Sequence, residues 1–432
     1  MSAPLPASAE FTARCQAAAC RVCGAQGLSP VLDLGSMPLS DGFLRPEQLE
    51  RPLPRYPLEV AFCPDCTLVQ ILETVPPEEL FCRDYPYYAS VSSSWVEHCR
   101  RSALALIEER GLGANHLVVE LASNDGYMLR NFVERGIPVL GIDPAEGPAR
   151  QAEAAGIPTR VAFFGRELAE ELRRDGVRAD LVLGNNVLAH VADTNGFVAG
   201  IGRILADDGV AVLEMPYLVD LIERREFDTI YHEHLCYFSV SALERLFSRH
   251  GLHLVQVDRI PTHGGSLRVR VSPRQPEARP GVEALLAAER RAGVDQAGYY
   301  QGFARTVEGV RSELLALLRR LRGEGKRVAA YGAAAKGTIL LNYLGLDRRT
   351  IEYAVDKNPH KQGKLIPGAG IPIASPDRLR TDRPDYLLLL PWNLRQEVLA
   401  QQQEFLASGG RFIIPLPRPY VVGPNAVRGG AA

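Results

Sequence analysis

Short apolar segments alternate with helix-length periodic segments along most of the chain after about residue 95. The strand-like segments are 117–121, 138–142, 180–183 and 210–214 in a first series, and 327–331, 351–355, 386–390 and 411–414 in a second. Such alternation is typical of βαβ units around a parallel sheet. Between the two series, residues 282–322 form a charged helical stretch with one apolar face, which we interpret as a connection. The pattern predicts an α/β protein with two parallel sheets.

The first 82 residues are different, because they are rich in proline and turns and poor in helical periods. They contain two Cys-x-x-Cys pairs, Cys20 with Cys23 and Cys63 with Cys66. The two-residue spacer lets both thiolates reach one ion, and two pairs supply the four ligands of a closed tetrahedral zinc site. Ordinary buried thiols and a disulfide framework are the alternatives. We expect a structural Zn²⁺ that helps this small lobe to fold.

Length and charge narrow the class of protein further. A chain of 432 residues exceeds what one core usually organises, and we expect a zinc-binding domain at 1–82 and α/β domains at 83–280 and 281–432. The net charge of −2 gives no footprint for nucleic acid. The apolar runs are strand-length, far short of the ~20 residues of a membrane helix, so no membrane partner is expected. The start lacks the features of a secretory leader, so we expect a cytoplasmic protein. The oligomeric state leaves no readable trace.

A cofactor-binding loop follows the strand at 117–121. The strand ends in small and polar residues, Ala122, Asn124, Asp125 and Gly126 among them, so backbone N–H groups can approach a ligand and a helix N-terminus can face negative charge. Asp143 ends the next strand, where an acidic residue can accept hydrogen bonds from ribose hydroxyls. The G-x-G-x-x-G fingerprint of dinucleotide sites is absent. The spacing suits an adenosine-type cofactor.

A second loop of this kind lies at 331–338 in the second series. It carries Gly332 and Lys336, but the Gly-Lys-Ser/Thr of a P-loop is absent, which argues against an NTPase. Asp356 ends the following strand, and Lys361 is one of several lysines close by. We predict a Rossmann-like turn that accepts a diphosphate. A solvated basic loop is the alternative.

Together these residues carry a resemblance to a known family. Glu120 to Gly126 with Asp143 resembles the first two strands of class I S-adenosylmethionine-dependent methyltransferases. Within that superfamily, nearly the whole chain resembles the sugar C-methyltransferases that act on nucleotide-linked 4-keto deoxysugars in antibiotic and surface-polysaccharide pathways. The blocks that match are the cysteine pairs, 120–126, 184–190, 231–234, and 331–337 followed by 355–360.

The resemblance implies a fold and a reaction. The fold is a class I methyltransferase Rossmann-like core between a small N-terminal zinc-binding domain and a C-terminal doubly wound α/β domain. The reaction is methyl transfer from S-adenosylmethionine to a ring carbon, expected to be C-3, of a dTDP-linked 4-keto-deoxysugar. The residues expected to hold the methyl donor are Glu120, Ala122, Asn124, Asp125, Gly126, Asp143, Asn185 and Asn186, and those expected to hold the nucleotide sugar are Gly332, Lys336, Asp356 and Lys361.

Methyl transfer to carbon requires a carbanion-like nucleophile, which a ketone supplies when a base removes the neighbouring proton and the enolate is stabilised. The segment 231–234, Tyr-His-Glu-His, can offer that base. In an extended segment, His232 and His234 would share one side, with Glu233 opposite. By similarity, the catalytic residues are His234 as general base with Glu233, Tyr231, Tyr85 and His190 around it.

Several alternatives stay open at this point. The Tyr-His-Glu-His segment could be a hydrogen-bonded loop or a metal site, although the H-E-x-x-H spacing is absent. Ala122 stands where glycine is commoner in the superfamily. An N- or O-methyltransferase, a non-catalytic scaffold and an NAD-linked sugar oxidoreductase remain alternatives for the function.

Overall fold

The computed structural model describes residues 8–49, 51–81 and 87–424. It contains three sheets, one of four, one of seven and one of six strands. The two larger sheets are built from the two predicted series, and every strand segment predicted in those series forms at least in part. The predicted α/β fold class is therefore confirmed.

The N-terminal part is a small antiparallel sheet with flanking helices. Its elements are α1 (Ala9–Ala17), β1 (Ser29–Met37), β2 (Tyr56–Phe62), β3 (Val69–Ile71) and α2 (Pro77–Phe81). The strands pair in the order β1-β2-β3, and a short strand from the next part of the chain, Cys236–Tyr237, adds to β3. This small sheet is thus completed by a long-range partner that no local pattern predicts.

The central part is a seven-stranded sheet covered by helices. Its elements are α3 (Ser93–Arg110), β4 (Val118–Leu121), α4 (Arg130–Val133), β5 (Val139–Asp143), α5 (Glu146–Ala154), β6 (Thr159–Val161), α6 (Arg166–Arg174), β7 (Ala179–Asn185), α7 (Thr194–Ile204), β8 (Leu205–Pro216), α8 (Leu218–Glu223), β9 (Cys236–Tyr237), α9 (Val240–Ser248), β10 (His253–Ile260) and β11 (Ser266–Ser272). The order is β10-β11-β8-β7-β4-β5-β6, and β11 runs antiparallel to both neighbours. This is the predicted class I methyltransferase architecture, in which β4 lies inside the sheet between β7 and β5 and is buried along its whole length.

The C-terminal part is a smaller doubly wound sheet. Its elements are α10 (Pro280–Ala292), α11 (Ala297–Tyr300), α12 (Phe303–Gly323), β12 (Val328–Tyr331), α13 (Ala335–Leu344), β13 (Ala354–Val355), β14 (Ile373–Ala374), α14 (Arg378–Asp382), β15 (Tyr386–Leu389), α15 (Arg395–Gln401), α16 (Gln403–Ala407), β16 (Arg411–Ile414) and β17 (Tyr420–Val422). The order is β14-β13-β12-β15-β16-β17, parallel except for the edge strand β17. Buried on both faces, these strands are nearly continuous apolar runs, which is why the sequence reveals them.

One predicted element is much shorter than expected. The helix predicted to open at the first cofactor loop is reduced to the four residues of α4, and residues 122–129 are turns. A helix N-terminus therefore does not face the loop. Hydrogen bonds to a ligand at this place would have to come from the backbone amides of the loop itself.

The connection between the sheets also differs from one continuous helix. It is divided into α10, α11 and α12, and α10 packs on the central part. The buried Glu289 carboxylate accepts hydrogen bonds from the Tyr217 hydroxyl at 2.9 Å and from the Val240 amide at 2.7 Å. We keep domains at 1–82, 83–280 and 281–432 as a proposal, with α10 as the element by which the last is attached to the second.

The three parts meet along a segment of the N-terminal lobe. The Ser40 carbonyl accepts the Thr338 hydroxyl at 2.9 Å, and the Ser40 hydroxyl lies 3.4 Å from Glu233 Oε1. Leu44 pairs with Leu365 as an isolated bridge. The lobe therefore contacts both α/β parts beside the Tyr-His-Glu-His segment. Among the described helices, none has the length and apolar character to cross a membrane.

Candidate active site and zinc centre

The four cysteines of the N-terminal lobe come together as predicted. The sulfur atoms of Cys20, Cys23, Cys63 and Cys66 all lie within 4.8 Å of one another. The Sγ atoms of Cys20 and Cys66 are 3.3 Å apart and those of Cys23 and Cys63 are 3.5 Å apart. With Zn–S bonds of about 2.3 Å, one ion fits between sulfurs at such separations. The donor set is that of a closed structural zinc site.

The first cofactor loop has an unusual backbone conformation. Ala122, Asn124 and Gly126 all have positive φ, at 56°, 49° and 75°. This left-handed region favours glycine, and an alanine there is strained. A Cβ on Gly126 would lie 2.3 Å from Ile157 Cδ1, so the loop packs directly on the neighbouring unit of the sheet. The turn presents backbone amides at the carboxyl end of β4, where ligands of such sheets bind.

Asp143 holds the shape of this loop. One carboxylate oxygen accepts the Asn124 amide at 2.8 Å, and the other accepts the Ala145 amide at 2.8 Å. The residue is 4 % exposed, and burial raises the pKa of Asp143 to about 6. Each oxygen keeps a second lone pair, so acceptance from ribose hydroxyls stays possible while the backbone is held.

The side chains of Asn124 and Asp125 are turned toward the segment that follows Tyr85. Asn124 Oδ1 accepts the Ala89 amide at 2.8 Å, and Asp125 Oδ2 accepts the Ser90 amide at 3.2 Å. Asp125 Oδ1 is buried and finds no hydrogen-bond partner among the described residues. S-adenosylmethionine presents donors of the kind this oxygen lacks, ribose hydroxyls and an ammonium group, so the loop fits it.

The remaining predicted cofactor residues lie around the same edge of the sheet. Glu120 is fully buried in β4, and burial raises the pKa of its carboxyl well above the usual range. Asn185 ends β7 and donates to Met128 Sδ at 3.1 Å. Asn186 has a φ of 53°, and its amide donates to the Glu214 carbonyl at 2.7 Å. Glu120 is fully buried in the strand, whereas both asparagines are half-buried at the strand end.

The Tyr-His-Glu-His segment is a turn and not the extended segment considered above. The His234 amide donates to the Tyr231 carbonyl at 2.8 Å, which closes the turn. His232 is directed to the N-terminal lobe, where its Nε2 lies 3.1 Å from the Pro57 carbonyl. His232 and His234 therefore do not share a side. Within the described parts of the chain, the four cysteines are the only group with metal-binding spacing, so the metal alternative for this segment gains no support.

His234 is held at both ring nitrogens. Its Nδ1 lies 2.8 Å from the Thr229 carbonyl, and its Nε2 lies 2.9 Å from the Tyr231 hydroxyl. A carbonyl can only accept, so Nδ1 carries the proton and Nε2 keeps its lone pair. Burial lowers the pKa of His234 well below its ordinary value, with the nearby His190 acting in the same direction. The ring is neutral at pH 7 and presents a basic nitrogen beside a phenol.

His190 and Glu233 complete the surroundings of this imidazole. The His190 and His234 rings meet edge to face with centroids 4.7 Å apart, and burial lowers the pKa of His190 to about 4. Glu233 is 4 % exposed, and burial together with the charge of Asp41 raises the pKa of its carboxyl well above the usual range. A raised pKa favours the protonated form of the carboxyl, which cannot accept a proton. Tyr85, predicted to complete this pocket, lies outside the described residues.

The second cofactor loop divides its predicted residues between two places. Gly332 has a φ of 84°, and Asp356 accepts the Ala333 amide at 2.6 Å. Lys361 donates to the Ala333 carbonyl at 2.8 Å, so it lies at the loop. Lys336 is instead held against Trp392 and Asn393. Gly332, Asp356 and Lys361 thus form one group, and Lys336 faces the central part of the chain.

Four residues near His234 were missed by the motif analysis: Glu226, Asp228, His263 and Trp392. Burial raises the pKa of Glu226 to about 8 and of Asp228 to about 6, and it lowers the pKa of His263 to about 4. No spacing motif contains them, because they come from separate turns. Two acidic residues shortly before the Tyr-His-Glu-His segment and a His-Gly-Gly sequence were the only local signals.

Family models cover the three parts of the chain. Residues 20–81 match a model described as "Putative zinc binding domain", residues 95–257 match "Methyltransferase domain", and residues 261–417 match "C-methyltransferase C-terminal domain". The matched ranges follow the three sheets in order.

Individual proteins are also similar. The chain is 40% identical over 405 residues to C-methyltransferase NovU of Streptomyces niveus, a match that covers 93% of this chain and 96% of that protein. It is 28% identical over 119 residues to a ubiquinone biosynthesis O-methyltransferase of Azorhizobium caulinodans, covering 27% and 46%. Among solved structures, the magnesium protoporphyrin IX methyltransferase ChlM of Synechocystis with bound SAM has a TM-score of 0.32 and 13% identity, covering 41% of this chain and 78% of that one.

Proposed function

This chain belongs to the C-methyltransferase family, and we propose that it methylates C-3 of a dTDP-linked 4-keto-deoxysugar by way of an enolate. The chain is an S-adenosylmethionine-dependent enzyme with a structural zinc site, and it acts on a small molecule. The proposal adds the class of substrate, the carbon and the residues that act on it.

The orientation of His234 is the observation that carries the proposal. C-Methylation beside a ketone requires removal of a carbon-bound proton, which is a demand that O- and N-methylation do not share. His234 Nε2 accepts a hydrogen bond from the Tyr231 hydroxyl, and its other nitrogen is fixed by the Thr229 carbonyl. The Tyr231 hydroxyl, 2.9 Å away, can relay the proton: its oxygen takes the proton from the substrate carbon while its own proton passes to Nε2. Glu233 is the less favoured candidate, because burial raises the pKa of its carboxyl and so favours the protonated form, which cannot accept a proton.

The methyl donor and the ketone are proposed to meet between His190 and the end of β4. When bound, S-adenosylmethionine supplies an electrophilic methyl group. The backbone turn at Ala122, Asn124 and Gly126 would hold it, with Asp143 fixing the turn. His190 ends a short 3₁₀ turn that follows β7 and the two asparagines, Asn185 and Asn186. Its ring contacts that of His234. The contact between these rings supports a donor-binding edge and a base on the two sides of one small region.

The nucleotide is proposed to bind at the second cofactor loop. Gly332 allows the close turn, since a Cβ there would lie 2.4 Å from Pro391 Cδ. The ten-residue helix α13 begins directly after this loop, so its N-terminal amides and the positive end of its dipole lie beside it. Lys361, anchored on the loop, adds a positive charge suited to a diphosphate.

Mass spectrometry of a substrate panel tests the proposal. The full-length protein is incubated with S-adenosylmethionine and dTDP-linked hexoses that carry or lack the 4-keto group, with UDP-linked analogues as a control for the base. We expect a gain of one CH2 only for 4-keto sugars, and NMR of the product should place the methyl on C-3. A methyl group on oxygen or nitrogen, or on another ring carbon, would contradict the proposal.

A further inference from the structure

The carbonyl that holds His234 belongs to a short, tightly closed turn. Residues Phe227–Thr229 form a single 3₁₀ turn. The Glu226 carbonyl accepts both the Thr229 amide at 3.0 Å and the Thr229 hydroxyl at 2.6 Å. These bonds fix the direction of the Thr229 carbonyl, which accepts His234 Nδ1 at 2.8 Å. Any displacement of this turn therefore moves or rotates the imidazole.

The turn is anchored on the C-terminal part of the chain by two of its three buried side chains. Asp228 is 0 % exposed, and its Oδ2 accepts the Trp392 indole N–H at 2.8 Å. Phe227 is also 0 % exposed and packs edge to face on Tyr343 of α13, with ring centroids 5.2 Å apart. His234 thus lies in the central part of the chain. The turn whose Thr229 carbonyl orients it is held by the C-terminal part, which we propose to bind the nucleotide.

Trp392 is itself fixed from the other side. Lys336 Nζ lies 4.6 Å from the centroid of the Trp392 ring and donates to Asn393 Oδ1 at 3.0 Å. A cation over an indole face is favourable, more so where water is excluded. The negative charge of Asp228 helps to keep this buried lysine protonated, against the burial that lowers the pKa of Lys336. Lys336, Trp392 and Asp228 form one buried assembly across the boundary.

We propose that Asp228 and Trp392 are positioning residues for the general base, which make its orientation depend on docking of the C-terminal part. The proposal rests on the proposed function, because it assumes that His234 removes the substrate proton. Its consequence is that proton removal is efficient only when the two α/β parts are held together at this hydrogen bond. Misplacement of a catalytic group by about 1 Å can cost roughly 100-fold in rate.

The test is Trp392→Phe, which removes the indole N–H and keeps an aromatic ring under Lys336. With dTDP-4-keto-6-deoxyglucose in deuterated water and no methyl donor, we expect solvent exchange at C-3 to slow roughly 10- to 100-fold. The kcat for methylation should fall by a similar factor, with KM for sugar and methyl donor within about threefold. Asp228→Asn, which keeps an accepting oxygen, should retain most activity, whereas Asp228→Ala should match Trp392→Phe. The double variant Trp392→Phe/Asp228→Ala should exchange no more slowly than either single variant, because both changes remove the same hydrogen bond.

Tyr217→Phe is the matched control, because it removes another buried hydrogen bond between the central and C-terminal parts, that from the Tyr217 hydroxyl to the Glu289 carboxylate at 2.9 Å. It should exchange at the wild-type rate. Equal slowing by Tyr217→Phe, or a Trp392→Phe variant that exchanges at the wild-type rate, would overturn the proposal. Failure of the wild type to exchange deuterium into the sugar would instead refute the proposed function.

Discussion

Replacing Gly126 by alanine tests the geometry of the first cofactor loop. Gly126 has a φ of 75°, where an L-residue is disfavoured by about 1–2 kcal/mol. The added Cβ would also lie 2.3 Å from Ile157 Cδ1 and 3.3 Å from Ala152 Cβ, a contact in a packed region since Ile157 is 1 % exposed. Overpacking of this kind costs about 1–3 kcal/mol. The two effects together predict a loss of roughly 2–5 kcal/mol.

Gly136→Ala separates the two effects. Gly136 has a similar φ of 68°, but a Cβ there would meet nothing within 4 Å, so only the conformational cost of about 1–2 kcal/mol applies. The assays are urea denaturation, and calorimetric titration with S-adenosylmethionine, whose affinity should fall in Gly126→Ala and not in Gly136→Ala. Ile157→Val removes the atom nearest the new Cβ and should partly rescue Gly126→Ala. Equal destabilisation by the two alanines, with no rescue, would refute the packing argument.

Three further expectations follow from other parts of the structure. Cys20→Ser should release zinc and expose the N-terminal lobe to proteolysis, while Cys15→Ser, at a buried cysteine outside the cluster, should keep full metal content by atomic absorption. Asp143→Asn can accept only one of the two backbone amides and should weaken S-adenosylmethionine about 10- to 100-fold by calorimetry, with nucleotide-sugar affinity unchanged. Burial lowers the pKa of His234, so the imidazole stays neutral at pH values below the ordinary histidine pKa of about 6.5. The acid-side fall of kcat/KM should therefore have its midpoint well below pH 6.5, and a midpoint at or above that pH would contradict the assignment.

The sequence could predict the parts of the fold that have a local cause. Parallel strands buried on both faces form apolar runs, and the Cys-x-x-Cys spacing is fixed by the geometry of one ion. The antiparallel pair β10 and β11 was missed, because its alternation is interrupted and its hairpin contains His263 in the left-handed region. The strand β9 was missed because two residues carry no pattern, and their partner β3 lies in another part of the chain.

The candidate site shows the same limit at the level of side chains. Tyr231 and His234 could be named from their motif, but their contact depends on a turn, and the expected extended geometry was not observed. Lys336 was grouped with the nucleotide loop from its position in the sequence, whereas it contacts Trp392. The Asp228–Trp392 hydrogen bond joins residues 164 positions apart, so only tertiary structure brings them together.

Hydrogen–deuterium exchange at C-3 of the bound sugar by the His234→Asn variant tests the central claim most directly. Asparagine can keep a polar contact with Thr229 but has no basic nitrogen, so binding of both ligands should persist. We predict that exchange and methylation both fall by roughly 10²- to 10⁴-fold, the usual contribution of a positioned general base. Glu233→Gln should retain exchange, because we propose His234 and not Glu233 as the base, and burial raises the pKa of the Glu233 carboxyl. Wild-type exchange in His234→Asn, with none in Glu233→Gln, would contradict the assignment of the base.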